Sequence, residues 1–598
     1  MTLTLVLAAL AGLLQPQIIN VPDRAQTSLD GEWNCLVDQF ANGYLDYRQN
    51  PMPEDRTFFA DRHFYQDETK LVEYDFDVAQ TLRVPGDWNT QDPKYYYFEG
   101  TIWLRRLFEA DPKPGKRYFF HFGAVNYEAV VGLNGHIVGS HIGGFTPFDI
   151  EVTDLLKKGS NSLIVRVDNS RHTDGVPMHN FDWWNFGGIT RSVSLLEVPQ
   201  TFVQDYSVQL SADGKSVEGW VQLAGPGMDG GASVEIPELG ISAQIASCGA
   251  GGRGSFSVPF RKKRLPERWC PENPRLYEVK ISAGEDCTTD RIGFRTIETR
   301  GTKILLNGKE TFLKGVAVHE ETPYAPSGRA WSEEDARTTL GWAKEMGCNF
   351  VRLAHYPHNE TMIRVAEEMG IMVWDEIPVY WAIDWNNPAT YGNAENQLCE
   401  MITRDKNRAN VIIWSVSNET PRSPARLKFL TGLIAKAREM DPTRLVSSAM
   451  EKDEPEPGHM TMNDDLVDYV DLISFNQYVG WYDGDFDKCD RVHWDFPAQK
   501  PVIITEYGGG AKYGRHGAVT ERFTEEYQAK LYEKNIEMLS RIPELAGSCP
   551  WILKDFRSPR RQLNGIQDEF NRKGLISENG ERKQAFYIMQ KWYCSMQE

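Results

Sequence analysis

Asn410 to Glu419 reads NVIIWSVSNE, and Lys500 to Glu506 reads KPVIITE. Each is a short apolar run with the length of a buried strand, and each ends on a glutamate. Working outward from them, short apolar runs alternate with amphipathic helical stretches from about Thr296 onward, the sign of a parallel sheet with crossover helices. Eight runs can be counted: Phe312 to Val318, Phe350 to Ala354, Ile371 to Trp374, Val411 to Val416, Leu445 to Ala449, Val470 to Phe475, Pro501 to Thr505 and Gly547 to Leu553. Ser332, followed by Glu333, Glu334 and Asp335, predicts a capped helix start that Gly347 closes; Asn359 and Gly370 play the same two roles for the next helix. Eight strands over roughly 300 residues fit one (β/α)8 TIM barrel, which places its chemistry where the strands end, at the C-terminal face.

The first half has another texture. From Ser28 to about Pro199, short alternating runs such as Thr101 to Phe108 (TIWLRRLF) and Ser162 to Val167 (SLIVRV) are separated by Gly, Pro, Asn and Asp turns, which predicts a β-sandwich. From Thr201 to Arg295 the pattern continues with fewer aromatics and more glycine, over the roughly 100 residues of an immunoglobulin-like sandwich. The expected division is a first sandwich of jelly-roll type at 21–199, an immunoglobulin-like sandwich at 200–296 and the barrel at 297–598. Residues 1–20 are a candidate signal peptide. Met1 to Leu14, MTLTLVLAALAGLL, has the length of a signal-peptide core and is too short to span a bilayer; Ala9-Leu10-Ala11 resembles a cleavage site, although no Lys or Arg precedes Arg24. The expectation is a periplasmic or secreted protein with no membrane partner, a cytoplasmic one being the alternative.

At 598 residues the chain is too long for one core. Its 84 acidic against 65 basic residues give a net charge of −19, which repels a phosphate backbone and excludes nucleic acid as a partner. An anionic small substrate feels the same repulsion, so a pocket for one needs local cations. The nine cysteines form no C-x-x-C pair and no zinc-ligand spacing, and are expected to be mostly free thiols.

If the strands stand as read, one face of the barrel collects His319 and Glu320, His355, Asp375 and Glu376, Asn418 and Glu419, Asn476 and Tyr478, Glu506 and Tyr507, and Lys554 and Asp555. A single polar residue at a strand end needs no explanation beyond solvent; six or more strands ending this way predict a site. Glu419 and Glu506 close strands four and seven, on opposite sides of the ring, from which both can aim at its centre. Two carboxylates flanking a sugar suit glycoside hydrolysis, one as proton donor and the other as nucleophile. Spacings of about 5 to 5.5 Å go with retention and wider ones with inversion.

Longer motifs carry a resemblance. Arg404 to Glu419, RDKNRANVIIWSVSNE, resembles the acid/base signature of family 2 glycoside hydrolases, and Ile503 to Gly508, IITEYG, resembles their nucleophile segment. Gly86-Asp-Trp-Asn89, Gly143-Gly-Phe-Thr-Pro-Phe148 and Asn185-Phe-Gly-Gly-Ile189 are similar to the family's N-terminal sugar-binding sandwich. Leu306-Asn-Gly-Lys309, Leu313-Lys-Gly-Val316 and Arg352-Leu-Ala-His-Tyr-Pro357 are similar to the start of its barrel. The resemblance implies that Glu419 is the general acid/base and Glu506 the nucleophile of a retaining, two-step hydrolysis, with Asn418 on the sugar 2-hydroxyl and no metal or organic cofactor. Asn571-Arg572-Lys573 resembles the Asn-x-Lys motif of the β-glucuronidase branch, which implies that Asn571 and Lys573 hold the C6 carboxylate of a terminal β-D-glucuronic acid. His355, Tyr478, Tyr482 and Trp551 are implied as pocket walls, with Asp182 reaching in from the sandwich, and a homo-oligomer, dimer or tetramer, is implied by analogy.

Two departures stand out. Gln567 occupies the position, four before Asn571, where well-known members carry an arginine, with Arg560 and Arg561 a few residues upstream as candidates to compensate. The stretch Pro378 to Asn396 is short and holds Trp381 and Trp385, so the site is expected to be open to larger leaving groups such as oligosaccharides. The expected activity is exo-β-glucuronidase on glycoconjugates or oligosaccharides, the alternatives being a β-galacturonidase or a neutral-sugar β-galactosidase or β-mannosidase. From a different class, a non-catalytic carbohydrate-binding protein would present the same aromatics on a degenerate barrel.

Overall fold

A computed structural model describes residues 17–52, 57–58, 74–261, 264–326 and 328–596. Its centre is a closed ring of parallel strands: β1 in two pieces (Leu313–Lys314 and Ala317–Val318), β2 (Phe350–Leu353), β3 (Met372–Glu376), β4 (Val411–Asn418), β5 (Leu445–Glu451), β6 (Ile473–Asn476), β7 (Val502–Glu506) and β8 (Leu545–Ser548). Closure runs through β1, whose first piece pairs with β8 and whose second pairs with β2. This is the TIM barrel expected from the alternation of apolar runs.

Every residue of β4 is buried, because the strand has the barrel interior on one side and the helix layer on the other. Ile412 and Ile413 join the interior cluster with Leu313, Phe350, Met372, Trp374 and Ile503, whereas Val411, Trp414 and Val416 pack with the helices. Helices α1 (Glu333–Glu345) and α2 (Glu360–Met369) start and stop where the sequence predicts. Ser332 and Asp335 form a reciprocal capping box, Asn359 caps Thr361, and Gly370 takes a left-handed φ of 70°. Short 3-10 helices, Asp465–Asp468 and Phe486–Arg491, follow β5 and β6.

The interior cluster runs on into Trp269, Leu276, Ile304 and Leu306, contributed from before the barrel, and these plug its N-terminal mouth. Among the described residues the barrel's C-terminal mouth is left unplugged. The first sandwich, with four- and six-stranded sheets, leans over that mouth; the second has three- and four-stranded sheets. Phe145 stacks on Tyr356 at 4.2 Å between ring centres, and Arg191 reaches Glu320 at 3.1 Å and the Pro357 carbonyl at 2.7 Å. Gly187, in the Asn185–Ile189 motif, lies so close to Trp88 that a β-carbon would sit 2.1 Å from its ring, which accounts for a glycine there.

Met1 to Leu14 and most of the candidate signal peptide lie outside the described residues. Ile18 and Ile19 are already buried, and the Ile18 backbone N–H donates to Asp149 at 2.7 Å, so folded structure begins no later than residue 17. All nine cysteines are free thiols.

Candidate active site

Glu419 follows the last residue of β4 and Glu506 ends β7, and one chain of side chains connects them. Arg352 Nη1 donates to Glu506 Oε1 at 2.9 Å, and Arg352 Nη2 to Asn418 Oδ1 at 2.7 Å. Asn476, the residue opposite Glu506 in the β6–β7 pairing, donates through Nδ2 to Asn418 Oδ1 at 3.1 Å and to Glu419 Oε1 at 3.0 Å. The two carboxylates therefore share a pocket, as strands four and seven suggest. Glu419 has φ 47° and Trp381 has φ 53°, both in the left-handed region. Such a backbone costs a non-glycine residue roughly 1–3 kcal/mol and persists only where the surroundings impose it. Here they do: Trp381 Nε1 donates to Glu419 Oε2 at 2.8 Å, and its backbone N–H donates to the Asn418 carbonyl at 2.9 Å.

The electrostatics centre on Arg352, which is fully buried between Glu376 (3.0 Å) and Glu506 (2.9 Å). Burial opposes ionisation of Glu376, but Arg352 and His355 outweigh it and hold the carboxyl down at about 2. For Glu506 burial wins and raises the carboxyl above the ordinary glutamate range; Arg352 pulls it back, and negative Glu419 pushes it up again. Tyr478 donates to Glu506 Oε2 at 2.6 Å, a charge-assisted bond that fixes the carboxylate and favours its ionised form. Asn418 Nδ2 is buried without an acceptor among the described residues, which suits a donor kept for a bound hydroxyl.

Trp551, after β8, is buried and stacks on His355 at 4.8 Å. His355 in turn bonds Glu376 at 2.9 Å. Trp183, next to Asp182 in the sandwich, closes the wall against Tyr380 and His355.

A cationic corner adjoins the carboxylates through Tyr478, whose hydroxyl bonds Glu506 and whose ring centre lies 5.4 Å from Lys573 Nζ. Phe556–Arg557 and Phe570–Asn571 pair as a short hairpin whose tip, residues 558–569, folds over the mouth. Its return strand brings in Asn571 and Lys573, and its tip brings in Arg561. Lys573 is buried, with Nζ 2.7 Å from the Tyr482 hydroxyl and 5.4 and 4.7 Å from the centres of the Tyr478 and Tyr482 rings. Arg561 lies 3.3 Å from the same hydroxyl and is ion-paired with Asp182. Burial alone would raise the Tyr482 phenol, yet Lys573 and Arg561 outweigh it and hold it below its ordinary value. Asp182 also accepts from Ser558 at 2.6 Å and Asn571 at 3.4 Å, so it ties the hairpin to the sandwich. Behind Lys573 the loop is pinned by Asp555, which accepts from Gly574 N–H at 2.8 Å and pairs with fully buried Lys583 at 2.7 Å. A β-carbon on Gly574 would lie 2.2 Å from the Asp555 backbone nitrogen, so only glycine fits.

The TIM barrel domain model of glycosyl hydrolases family 2 matches residues 297–598, and that family's sugar binding domain model matches residues 27–199. The chain belongs to this family. A β-glucuronidase of Streptococcus agalactiae is 28% identical over 546 residues, covering 81% of this chain and 87% of that one. Among solved structures, a family 2 β-galacturonidase of Eisenbergiella tayi bound to galacturonate superposes with a TM-score of 0.80 at 25% identity, over 96% of this chain and 98% of that one. A Faecalibacterium prausnitzii β-glucuronidase superposes with the same score, identity and coverage.

In this family 2 chain the structure gathers all ten residues singled out from sequence, Asp182, His355, Asn418, Glu419, Tyr478, Tyr482, Glu506, Trp551, Asn571 and Lys573, around the barrel mouth. Tyr482 stands at the rim, its ring exposed and its hydroxyl turned inward. Sequence reasoning passed over Arg352, Trp183 and Tyr380. Arg352 lies inside the quoted Arg352–Pro357 motif, and a basic residue within an apolar strand was the available signal.

Proposed function

We propose that this protein is a retaining exo-β-glucuronidase that removes terminal β-D-glucuronic acid from glycoconjugates or oligosaccharides. The observation that carries the reading is the cationic corner of Lys573, Asn571 and Arg561, placed beside a carboxylate pair in a chain whose net charge is −19. A neutral sugar offers a buried ammonium only hydroxyl acceptors; a C6 carboxylate pairs its charge with it as well as its oxygens.

With the sugar acid held there and its ring over Trp551, Glu506 attacks the anomeric carbon while Glu419 gives its proton to the departing oxygen. The bond to the leaving group breaks and a glycosyl ester on Glu506 forms. Glu419, now ionised, takes a proton from water, which attacks the same carbon and releases the sugar with its configuration retained. Asn418 donates to the 2-hydroxyl throughout, and Arg352 keeps Glu506 in position and limits its protonation. Gln567, in the place of the usual arginine, accepts from Leu563 N–H within the hairpin tip, so Arg561 is the cation that supplements Lys573.

Initial rates on nitrophenyl β-glucuronide, β-galacturonide and β-galactoside test the reading. The glucuronide should be the best substrate; preference for the galactoside would refute a carboxylate site, and preference for the galacturonide would assign the C4 epimer to the same corner.

A further inference from the structure

Trp381 and Arg560 form a pair that the reaction at the sugar acid does not use. Trp381 is half-buried at the mouth, and its left-handed backbone aims the indole N–H at Glu419 Oε2. Asn476, itself bonded to Thr505 in the barrel interior, holds the other oxygen, so Oε2 is the outward one. Whatever is bonded to the oxygen that Glu419 protonates must leave past this side. The Arg560 guanidinium stands 4.9 Å from the centre of the Trp381 ring, and Nη1 donates to Asn180 Oδ1 of the sandwich at 2.5 Å. Its neighbour Arg561 is ion-paired with Asp182, whereas Arg560 is exposed and pairs with no carboxylate among the described residues.

We infer that Trp381 and Arg560 form a leaving-group subsite for a sugar bearing an acidic substituent, a carboxylate or a sulfate. This rests on the reading of the neighbouring pocket as a β-uronide site. The indole, packed on Tyr380 at 4.5 Å and carrying Arg560 at 4.9 Å, keeps a half-exposed apolar edge against which a pyranose ring can lie. The guanidinium offers a planar fork that matches carboxylate or sulfate oxygens two at a time. The substrate class that follows is an acidic oligosaccharide in which a terminal β-uronic acid is linked to a second charged sugar.

The test uses the full chain and two disaccharides with the same terminal β-glucuronic acid, one with a sulfated or carboxylated second sugar and one with a neutral second sugar. Wild type should prefer the acidic disaccharide in kcat/KM by about tenfold or more, the scale of one charge-assisted bond, with the preference shrinking as salt is added. In Arg560→Ala that ratio should fall toward one, chiefly through KM, while Arg560→Lys should keep part of it. A wild type without the preference, or an Arg560→Ala variant that retains it, overturns the inference. A wild type that cleaves no β-uronide at all, nitrophenyl β-glucuronide included, instead overturns the reading of the pocket on which it rests.

Discussion

Replacing Lys573 by Met isolates the charge that selects a sugar acid. The side chain is only 4% exposed, and its one hydrogen-bonding partner through Nζ among the described residues is the neutral Tyr482 hydroxyl at 2.7 Å. Removing the ammonium therefore strands no buried carboxylate, and an apolar chain of similar length fills the same space. What is lost is the bond to the substrate's C6 carboxylate, worth about 1.5–3 kcal/mol, or roughly 10- to 150-fold in kcat/KM. Arg561 remains 3.3 Å from Tyr482 and still faces the carboxylate, which places the expected loss near the lower half of that range. A β-glucoside, identical except for an uncharged C6, makes no such bond and should be cleaved by the variant at an unchanged or higher rate. The assay is kcat/KM for 4-nitrophenyl β-glucuronide and β-glucoside on both proteins, with thermal melting to show that the fold is intact. Equal losses on the two substrates in a normally melting variant would mean that Lys573 only holds the loop, and would remove the argument for uronide specificity.

Further outcomes follow from the same geometry. Glu506→Gln should lose essentially all turnover yet still bind glucuronic acid, read by calorimetry; Glu419→Gln should lower kcat/KM for alkyl glucuronides by roughly 100-fold or more while sparing kcat/KM, though not kcat, for nitrophenyl glucuronide, whose leaving group needs little protonation but whose glycosyl ester still needs the base. The acid limb of kcat/KM should lie above the ordinary glutamate value of 4.5, because Glu506 must be ionised to attack and burial raises its carboxyl. Tyr478→Phe removes a donor that favours the ionised form and should move that limb up, so a limb that stays put or falls would contradict the assignment. Asp182→Ala, which unties Arg561, Ser558 and Asn571, should raise KM for the glucuronide by roughly fivefold, the scale of one net hydrogen bond, with kcat little changed.

How far the sequence discloses this differs from element to element. Strand β4 is legible because all eight of its residues are buried, so nothing interrupts its apolar run, and the glutamate beyond it marks the mouth. The ends of the barrel are less so. The first strand reads as one run, Phe312 to Val318, yet it splits at Gly315, where it exchanges β8 for β2 as its partner; a β-carbon there would sit 2.5 Å from Cys549 Sγ. The eighth reads on to Leu553 but stops at Ser548, since Pro550 has no N–H to give a ladder. Arg561 stands ten positions before Asn571, outside the spacing that a linear motif describes, and only the Phe556–Asn571 hairpin folds it back onto Lys573. Arg352 is obscure for a related reason: Glu506, its decisive partner, lies 154 residues away.

The way these charges are shared explains why the pocket suits a uronide better than a neutral sugar. Arg352 is committed to Glu376 and Glu506, and Arg561 to Asp182, whereas Lys573 has no carboxylate partner among the described residues. The mouth therefore carries an uncompensated positive end at Lys573 and a negative end at Glu419 and Glu506. The transition state of uronide cleavage has the opposite polarity along the same axis, a fixed negative charge at C6 and a developing positive charge at the anomeric carbon. Fixed groups aimed at both ends stabilise it without reorganising, and a neutral sugar can use only one of them.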